Sequence, residues 1–367
     1  MAGPIRKLRN KVAALRSILA SDDPERPGLT GLVRKMTRTR TRALRLRTTV
    51  RRLHGPPKPP GGARDVVVLC SVRDGMEHLP HFLRHHRALG VTHFVFLDNA
   101  SVDGTTAHLS NQPDVTLYSS RLPYAQYKHH FKRFLFRAAG RDRWTLLADT
   151  DECFDFPGSD ALSLPEFCEY LDAHGHTAVV AHMLDRFSDA PILRVPDAPA
   201  GDLATLHRFY DLSGLHEDEH AHAFGASNTI SDPAIKCLSC GIHQELFGND
   251  LLVTKHPLVR WAPPMELPKY SHDISYARIA DVSAVLYHFK FTAGFFGMLQ
   301  RAVREANYYL GSERYKRIAE ALQREPELSL VRDTTRAFTS VDALVDAGFL
   351  RVSTVYRTWT AQRRDRL

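Results

Sequence analysis

Three carboxylates stand close together where an apolar run of the sequence ends. Residues 143–156 read RWTLLADTDECFDF, so the run up to Ala148 is followed by Asp149, Asp151 and Glu152. A strand that is apolar along its whole length is buried on both faces and accepts charge only where it leaves the sheet. Carboxylates crowded at that point repel one another unless a cation or a substrate compensates them. This segment is therefore the first candidate for chemistry.

The spacing of these acidic residues suits a divalent cation. Side chains alternate along an extended chain, so Asp149 and Asp151 are expected to point the same way and to hold one ion between them. Carboxylate oxygens with few imidazoles favour Mg²⁺ or Mn²⁺ over zinc, and such ions commonly bind the phosphates of a substrate directly. A solvated turn after a core strand is the plainer interpretation, and it stays open at this point.

Segments with strand and helix character alternate around this motif. The predicted strands are DVVVLCSVRD (65–74), THFVFLD (92–98), VTLYSS (115–120), WTLLA (144–148), TAVVAHML (177–184) and SAVLYHFKF (283–291). The predicted helices are 80–90, 127–140, 295–311 and 312–325. Alternation of this kind predicts a parallel sheet with helices on its faces. Ligands of such sheets bind at the carboxyl ends of the strands, where SVRD, DNASVDG and DTDE stand here.

Taken together, the motifs resemble the family 2-type glycosyltransferases. The stretch CSVRDGMEHLPHFLRHHRALGVTHFVFLDNASVDGT and the later Asp-Thr-Asp-Glu follow the order of that family and come closest to its family 92-related branch. The resemblance covers about residues 65–300. It implies an α/β fold of the GT-A type, a mixed and mostly parallel sheet flanked by helices. The expected regions are a basic N-terminal segment with its linker (1–60), a GT-A domain (64–294) and a C-terminal helical region (295–367).

The resemblance also implies roles for individual residues. Asp149 and Asp151 correspond to the Asp-x-Asp motif, whose metal bridges the diphosphate of a sugar nucleotide. His288 in LYHFKFTAGFF is a third metal ligand or a diphosphate contact. Asp98 corresponds to the residue that contacts the uracil or the ribose. The other residues expected to bind the nucleotide or its diphosphate are Arg73, Glu77, Lys236 and Lys290.

The reaction implied is transfer of a sugar from a nucleotide-sugar donor, expected to be UDP-linked, to a glycan or lipid-linked hydroxyl. Breaking the sugar–phosphate bond develops charge on the diphosphate, which Mn²⁺ or Mg²⁺ and a cation such as Lys290 or Lys236 would stabilise. The acceptor hydroxyl needs a base. Glu245, Asp273 and His243 are the candidates.

Basic residues are concentrated at the N-terminus. Residues 1–60 hold 16 Lys and Arg against 3 acidic residues, whereas the rest of the chain holds 33 basic and 38 acidic residues. The folded body is therefore mildly acidic, which argues against nucleic acid as a partner. The N-terminal segment has an apolar stripe at helical spacing, formed by Ile5, Leu8, Val12, Leu15, Leu19, Met36, Thr39, Ala43, Leu46, Val50 and Leu53. An anionic membrane surface and self-association both fit this pattern, as does a solvated tail.

The expected location is the cytoplasm, with attachment at the inner face of a membrane as an option. Five cysteines at uneven spacing do not form a disulfide framework, and the N-terminus lacks the features of a secretory signal. No apolar run reaches the length that a membrane span needs.

Several other patterns compete with this interpretation. His216, Glu217 and His220 match the His-Glu-x-x-His zinc motif, but their flanks have loop character. Cys237 and Cys240 have the spacing of half a zinc site, and two ordinary buried thiols are the expectation. A phosphatase with an Asp-x-Asp nucleophile would carry that pair after its first strand. A non-catalytic binding or scaffold member of the fold is the third alternative.

Overall fold

A computed structural model describes most of the 367-residue chain. The described residues are 29–62, 64–139, 142–198, 201–224, 227–265, 272, 274–305 and 312–364. The chain divides into two compact units, Met1–Val50 and Arg51–Leu367. In the described part of the first unit, one helix, α1 (Leu29–Thr49), carries seven basic and no acidic residues. The predicted stripe from Ile5 to Leu19 lies outside the described residues.

The helical rhythm predicted to run on to Leu53 is wrong at its end. The helix ends at Thr49, and Leu53 lies in a strand, β1 (Arg51–His54). This strand pairs antiparallel with the edge of the main sheet, where Arg51 lies opposite Ser119. Sheet hydrogen bonds that the sequence pattern does not reveal therefore outweigh the helical spacing of its apolar residues.

The second unit is built on one large mixed sheet. Besides β1, its strands are β2 (Val67–Val72), β3 (His93–Asp98), β4 (Val115–Ser119), β5 (Trp144–Leu147), β6 (Glu152–Asp155), β7 (Ala178–Asp185), β10 (Thr229–Ile230), β12 (Thr254–Arg260), β13 (Arg278–Ile279) and β14 (Ala284–His288). Two small sheets pair β8 (Phe209–Tyr210) with β15 (Arg336–Ala337), and β9 (Leu215–Glu219) with β11 (Lys236–Cys240).

Most strands of the large sheet run in one direction. The order is β1-β4-β3-β2-β5-β12-β7-β13-β10, and β14 pairs with β7 and β6. β2, β3, β4 and β5 are mutually parallel, and so are β7, β13, β10 and β14. β12 is antiparallel to both β5 and β7, so it joins the two parallel groups in the same direction. The carboxyl ends of β2, β3, β5, β7 and β14 therefore all lie at one edge of the sheet.

Helices cover the sheet. They are α2 (Leu79–Ala88), α3 (Thr105–Ser110), α4 (Tyr124–Ala139), α5 (Leu164–Ala173), α6 (Leu203–Leu206), α7 (His220–Phe224), α8 (Ile242–Phe247), α9 (Phe295–Glu305), α10 (Glu313–Arg324), α11 (Val341–Asp346) and α12 (Thr354–Arg364). The predicted C-terminal helical region belongs to the same compact unit as the sheet. Among the described helices, none is long and apolar enough to cross a membrane.

This topology confirms the predicted α/β fold class, a mixed and mostly parallel sheet flanked by helices. The six predicted strands and four predicted helices are present over their described parts. The central antiparallel strand β12 has no counterpart in the prediction, because Pro257 interrupts its pattern. Proline cannot donate a ladder hydrogen bond, and the register between β12 and β7 shifts between Lys255 and Leu258.

The C-terminal residues are fastened to the sheet through one carboxylate. Asp281 accepts hydrogen bonds from the Tyr170 hydroxyl (2.8 Å) and the Ser353 hydroxyl (2.5 Å), and its Oδ1 lies 3.3 Å from His176 Nε2. Burial alone would raise the pKa of Asp281, but these partners outweigh it and lower the pKa to about 2. The ionised form is therefore favoured in the folded protein.

We predict that Asp281→Asn lowers the free energy of unfolding at pH 7 by about 2 kcal/mol, since each pKa unit corresponds to about 1.4 kcal/mol. The native pKa of Asp281 is depressed, so this stability is present above about pH 4 and is lost as the pH falls toward 2. Urea unfolding at pH 7, 5 and 3 measures the effect. Asp189→Asn, which removes an exposed ion pair with Arg208, is the control and should cost less than about 1 kcal/mol at every pH. Equal losses in both variants would contradict the prediction.

Candidate active site

The strand register brings acidic and imidazole side chains together at the carboxyl edge of the sheet. In the parallel pair of β14 and β7, His288 lies beside Asp185. In the antiparallel pair of β14 and β6, Glu152 lies opposite His288. Asp151 immediately precedes β6, and its carbonyl accepts a hydrogen bond from the Phe289 amide (2.8 Å). Backbone pairing therefore fixes three carboxylates around one imidazole.

His288 bridges two of these carboxylates. Its Nδ1 donates to Asp185 Oδ1 (2.6 Å), and its Nε2 lies 3.4 Å from Asp151 Oδ2. Burial lowers the pKa of His288, but Asp185 and Asp151 outweigh this effect and raise it to about 10. Burial likewise raises the pKa of Asp151, and the hydrogen bond and charge of His288 more than reverse that effect and depress it. The three residues form a carboxylate–imidazolium–carboxylate chain.

Two buried lysines compensate the other carboxylates. Lys132 on α4 donates from Nζ to Asp149 Oδ1 (3.2 Å), and Lys255 on β12 forms an ion pair with Glu152. Burial lowers the pKa of Lys132, but Asp149 and Glu152 outweigh it, so the net shift is upward. Burial raises the pKa of Glu152, and the charge of Lys255 opposes that shift. The cations that the crowded carboxylates require thus come partly from the protein itself.

The expectation that the Asp-x-Asp pair continues as an extended chain is wrong. Residues 149–152 form a turn that is closed by a hydrogen bond from the Glu152 amide to the Asp149 carbonyl (3.0 Å). β5 and β6 therefore do not run on into each other. Among the described residues, Asp151, Glu152 and His288 each place one potential ligand atom within 4.8 Å of the others. The metal-ligand set predicted from the sequence names Asp149 in place of Glu152.

The loops that follow β2 and β3 are fastened to each other beside this cluster. Asp74 accepts a hydrogen bond from the Val102 amide (2.8 Å), and Asp103 accepts one from the Met76 amide (2.9 Å). Asp74 has a positive φ of 53°, a conformation that costs a non-glycine residue energy and is found mainly at turns and functional sites. The reciprocal bonds hold the two loops as one rigid wall.

The predicted nucleotide-pocket residues lie in or beside this wall. Asp98 is buried, and its carboxylate accepts from the Ala100 (3.1 Å) and Ser101 (3.3 Å) amides. Glu77 accepts from the Gly294 amide (2.8 Å), and the Arg73 guanidinium lies 3.9 Å from Glu305. Asp98 thus supports its own loop, and the other two connect the wall to the start and end of α9.

Lys290 and His243 lie on the other side of the cluster. His243 Nε2 is 3.2 Å from Asp185 Oδ2, and its ring stacks on Phe291 at 5.6 Å. Burial lowers the pKa of His243, with Asp185 opposing the shift. Burial also lowers the pKa of Lys290, against the attraction of Asp185 and Asp151. Both residues therefore share the electrostatic field of the carboxylate cluster.

Other predicted site residues have partners elsewhere or lie outside the description. Glu245 forms an ion pair with Arg332 and accepts from the Ser213 hydroxyl (3.2 Å). Lys236 pairs with Glu219 across the β9–β11 ladder. Neither has a described contact with the carboxylate cluster. Asp273 is not among the described residues.

The competing motifs do not form metal sites in the described structure. His216 and Glu217 lie on the exposed strand β9, whereas His220 begins α7, so the motif is not on one helix. The loop character expected for this stretch is replaced by a strand and a short helix. Cys237 and Cys240 lie on β11 as free thiols, the first buried and the second partly exposed.

Three residues of the cluster escaped the sequence analysis: Asp185, Lys132 and Lys255. The signal for Asp185 was available, since it directly follows the predicted strand TAVVAHML, as Asp149 follows WTLLA. No comparable signal marks Lys132 or Lys255. Their roles depend on packing between elements that lie far apart in the chain.

Comparison with known proteins finds solved structures that resemble this one at low sequence identity. No protein-family model and no curated protein matches this chain. The mannosyltransferase PcManGT from Pyrobaculum calidifontis, solved in complex with GDP-Man and Mn²⁺, is 15% identical with a TM-score of 0.30, over 90% of this chain and 91% of that one. A 4-diphosphocytidyl-2C-methyl-D-erythritol synthase is 15% identical with a TM-score of 0.24, over 39% of this chain and 67% of that one. Both TM-scores are low, so neither likeness indicates a function for this protein.

We predict that Lys255→Met lowers the free energy of unfolding by about 3–5 kcal/mol, because it leaves the buried Glu152 without its counter-charge. The double variant Glu152→Gln/Lys255→Met should lose clearly less than the sum of the two single variants. Urea unfolding at pH 7 measures both.

The matched control is Lys316→Met. Its ammonium group lies 3.7 Å from Glu313 on α10 with both side chains largely exposed, so the loss should stay below about 1 kcal/mol. A loss for Lys255→Met as small as that of the control would show that the buried pair is not needed for stability.

Proposed function

We propose that the protein is a metal-dependent glycosyltransferase with a GT-A core, which moves a sugar from a nucleotide-sugar donor to a glycan or lipid-linked hydroxyl. The observation that carries the proposal is the contact of the His288 imidazole with both Asp185 and Asp151 at the carboxyl edge of a mostly parallel sheet. The rigid wall of the loops after β2 and β3 ends at the same edge, where sheets of this kind bind nucleotides.

The side chains present fit a divalent cation. Asp151 and Glu152 offer carboxylate oxygens and His288 offers one imidazole nitrogen, an oxygen-rich set that suits Mn²⁺ or Mg²⁺. Asp185 accepts from His288 Nδ1 and so leaves Nε2 facing Asp151, the orientation that a carboxylate gives to a metal-bound histidine. Asp151 and His288 would hold the ion, with Asp149 as the further ligand that the sequence predicts. His288 would release its Nε2 proton on binding.

Bound at this position, Mn²⁺ or Mg²⁺ would offset the negative charge of the donor's diphosphate. Lys290, on the chain just after His288, would provide a second positive charge for the leaving group. The wall that contains Asp98, Arg73 and Glu77 would position the nucleoside, with a UDP-linked sugar as the expected donor.

Of the three candidate bases, we propose His243 as the residue that accepts the acceptor's proton. His243 lies against Asp185, and burial favours its neutral form, which is the form that can take a proton. The Glu245 carboxylate is engaged by Arg332 and is less suited to the role. Asp273 stays a candidate from the sequence. Lys236, paired with Glu219, has no step assigned to it.

We predict that Asp151→Asn reduces Mn²⁺-dependent turnover of a nucleotide sugar by about a hundredfold or more, since the lost metal contact stabilises charge in the transition state. The assay first screens UDP-, GDP-, ADP- and CDP-linked sugars by thermal shift with and without Mn²⁺, and then measures release of the nucleotide. Glu217→Gln, on the exposed strand β9, is the control and should keep wild-type turnover.

Two results would count against the enzyme. One is a wild-type protein that neither gains thermal stability from any sugar nucleotide with Mn²⁺ nor hydrolyses one, which would favour a scaffold. The other is unchanged turnover in Asp151→Asn with circular dichroism matching the wild type.

We also propose that the basic N-terminal unit attaches the enzyme to an anionic membrane surface from the cytoplasmic side. Helix α1 carries seven basic and no acidic residues, and each basic side chain near such a surface contributes about 1 kcal/mol. Self-association through residues 1–60 is the alternative, and it predicts binding that does not depend on lipid charge.

We predict that replacing Arg40, Arg45 and Arg47 with Gln lowers the bound fraction in flotation with vesicles containing anionic lipid by at least tenfold. Replacing Arg314, Arg317 and Arg324 on α10 in the same way is the control for net charge. Equal flotation of both variants, or flotation with neutral vesicles, would contradict membrane attachment through α1.

A further inference from the structure

A second cluster of metal-binding side chains lies apart from the carboxylate cluster. His81 and His85 are four residues apart on α2 and therefore share one face of the helix. Cys153 lies on β6, the strand against which α2 packs. One ligand atom from each of the three residues lies within 4.8 Å of the others.

We propose that His81, His85 and Cys153 form a binding site for a soft divalent metal ion of the zinc class. Two imidazoles and a thiolate are ligands that Zn²⁺ selects, in contrast to the carboxylate oxygens around His288. In a tetrahedral zinc site the ligand atoms lie about 3.5 Å apart, so small side-chain rotations would bring these three into range.

A hydrogen bond of His85 prepares it as a ligand. His85 Nε2 donates to the Phe154 carbonyl (2.7 Å), which leaves Nδ1 as the nitrogen with a free lone pair. His81 Nδ1 lies 3.6 Å from Asp202 Oδ1 and 3.4 Å from Arg84 Nη2, so its polar neighbours cluster at one side of the ring. A backbone carbonyl such as the one that accepts from His85 is a usual second contact of a metal-bound histidine.

The surroundings favour the neutral, metal-binding form of His81, whereas burial raises the pKa of the Cys153 thiol, so the metal ion itself would have to displace the thiol proton. Burial, then His85 and Arg84, lower the pKa of His81 to about 4, so its imidazole is neutral at pH 7. Arg186 places a positive charge nearby, with its guanidinium 6.0 Å from the ring centre of Phe289, which itself packs on His81 at 5.0 Å. A cation can therefore bind here only together with a negative ligand, which the Cys153 thiolate provides.

A cavity borders one of the three residues, His85. His85 is half-buried and lines a cavity of about 370 Å³, together with Asp155 and Ser159 at the end of β6. The cavity can supply water as the fourth ligand. On binding, the S–H bond of Cys153 would break, its proton would pass to solvent, and a sulfur–metal bond would form with no change of oxidation state. The ion would then fasten α2 to β6 one residue beyond Glu152.

Cobalt titration of the full chain tests this proposal. The EDTA-treated protein is titrated with Co²⁺, and we expect a near-ultraviolet thiolate-to-cobalt band that saturates at one equivalent and is displaced by Zn²⁺. The band should disappear in Cys153→Ser and persist in Cys168→Ser, which removes another buried thiol on α5. It should also persist in Asp151→Asn, which separates this site from the proposed catalytic metal.

In the Asp151→Asn background, which removes a ligand of the other proposed metal site, Zn²⁺ should raise the melting temperature of the otherwise wild-type chain and of Cys168→Ser but not of Cys153→Ser. If Cys153→Ser does not fold, His85→Gln decides: it keeps the thiol, and we expect its Co²⁺ affinity to fall at least tenfold. The proposal is overturned by a wild type without the sulfur–cobalt band, by a band that survives in Cys153→Ser, or by unchanged affinity in His85→Gln.

Discussion

Carboxylates that lie close together and partly buried need positively charged neighbours. At the carboxyl edge of this sheet, side chains from three separate elements provide those positive charges. Helix α4 brings Lys132 to Asp149, strand β12 brings Lys255 to Glu152, and strand β14 places His288 between Asp151 and Asp185. An unpaired buried charge costs several kcal/mol. The packing of these three elements and the ionised state of the carboxylates are therefore coupled, because the carboxylates need the cations and the buried cations need the carboxylates.

The positive charges at this edge are of two kinds, the ammonium groups of Lys132 and Lys255 and the imidazolium of His288. The two lysines are buried and paired with Asp149 and Glu152, so they orient these carboxylates. The imidazolium of His288 differs, because loss of one proton converts a cation into a neutral ligand that still points at Asp151. The divalent ion proposed to bind here would replace that proton without rearrangement of the backbone, which is what preorganisation of a metal site requires.

The sequence predicts the architecture better than the chemistry of its edge. Apolar runs such as WTLLA and TAVVAHML reveal strands because burial on both faces leaves a continuous pattern. Pro257 hides β12, and the short β6 has no pattern of its own after the turn at residues 149–152. Lys132 and Lys255 could not be found because nothing local to either residue indicates a partner about 17 or 103 positions away. Glu245 is a candidate base from the sequence and Lys236 an expected diphosphate contact, but their charges are matched by Arg332 and Glu219.

Helix α9 and the residue before it contact the loops at the carboxyl edge of the sheet. Arg301 on α9 donates to Asp74 (2.7 Å), the residue whose carboxylate also holds the β3 loop. Gly294, just before that helix, donates its amide to Glu77. A displacement of α9 would therefore move the wall that is proposed to hold the nucleoside, while the side chains proposed to bind the metal ion are fixed by strand register. The two halves of the proposed site are thus positioned by different means, one by the sheet and the other by a helix.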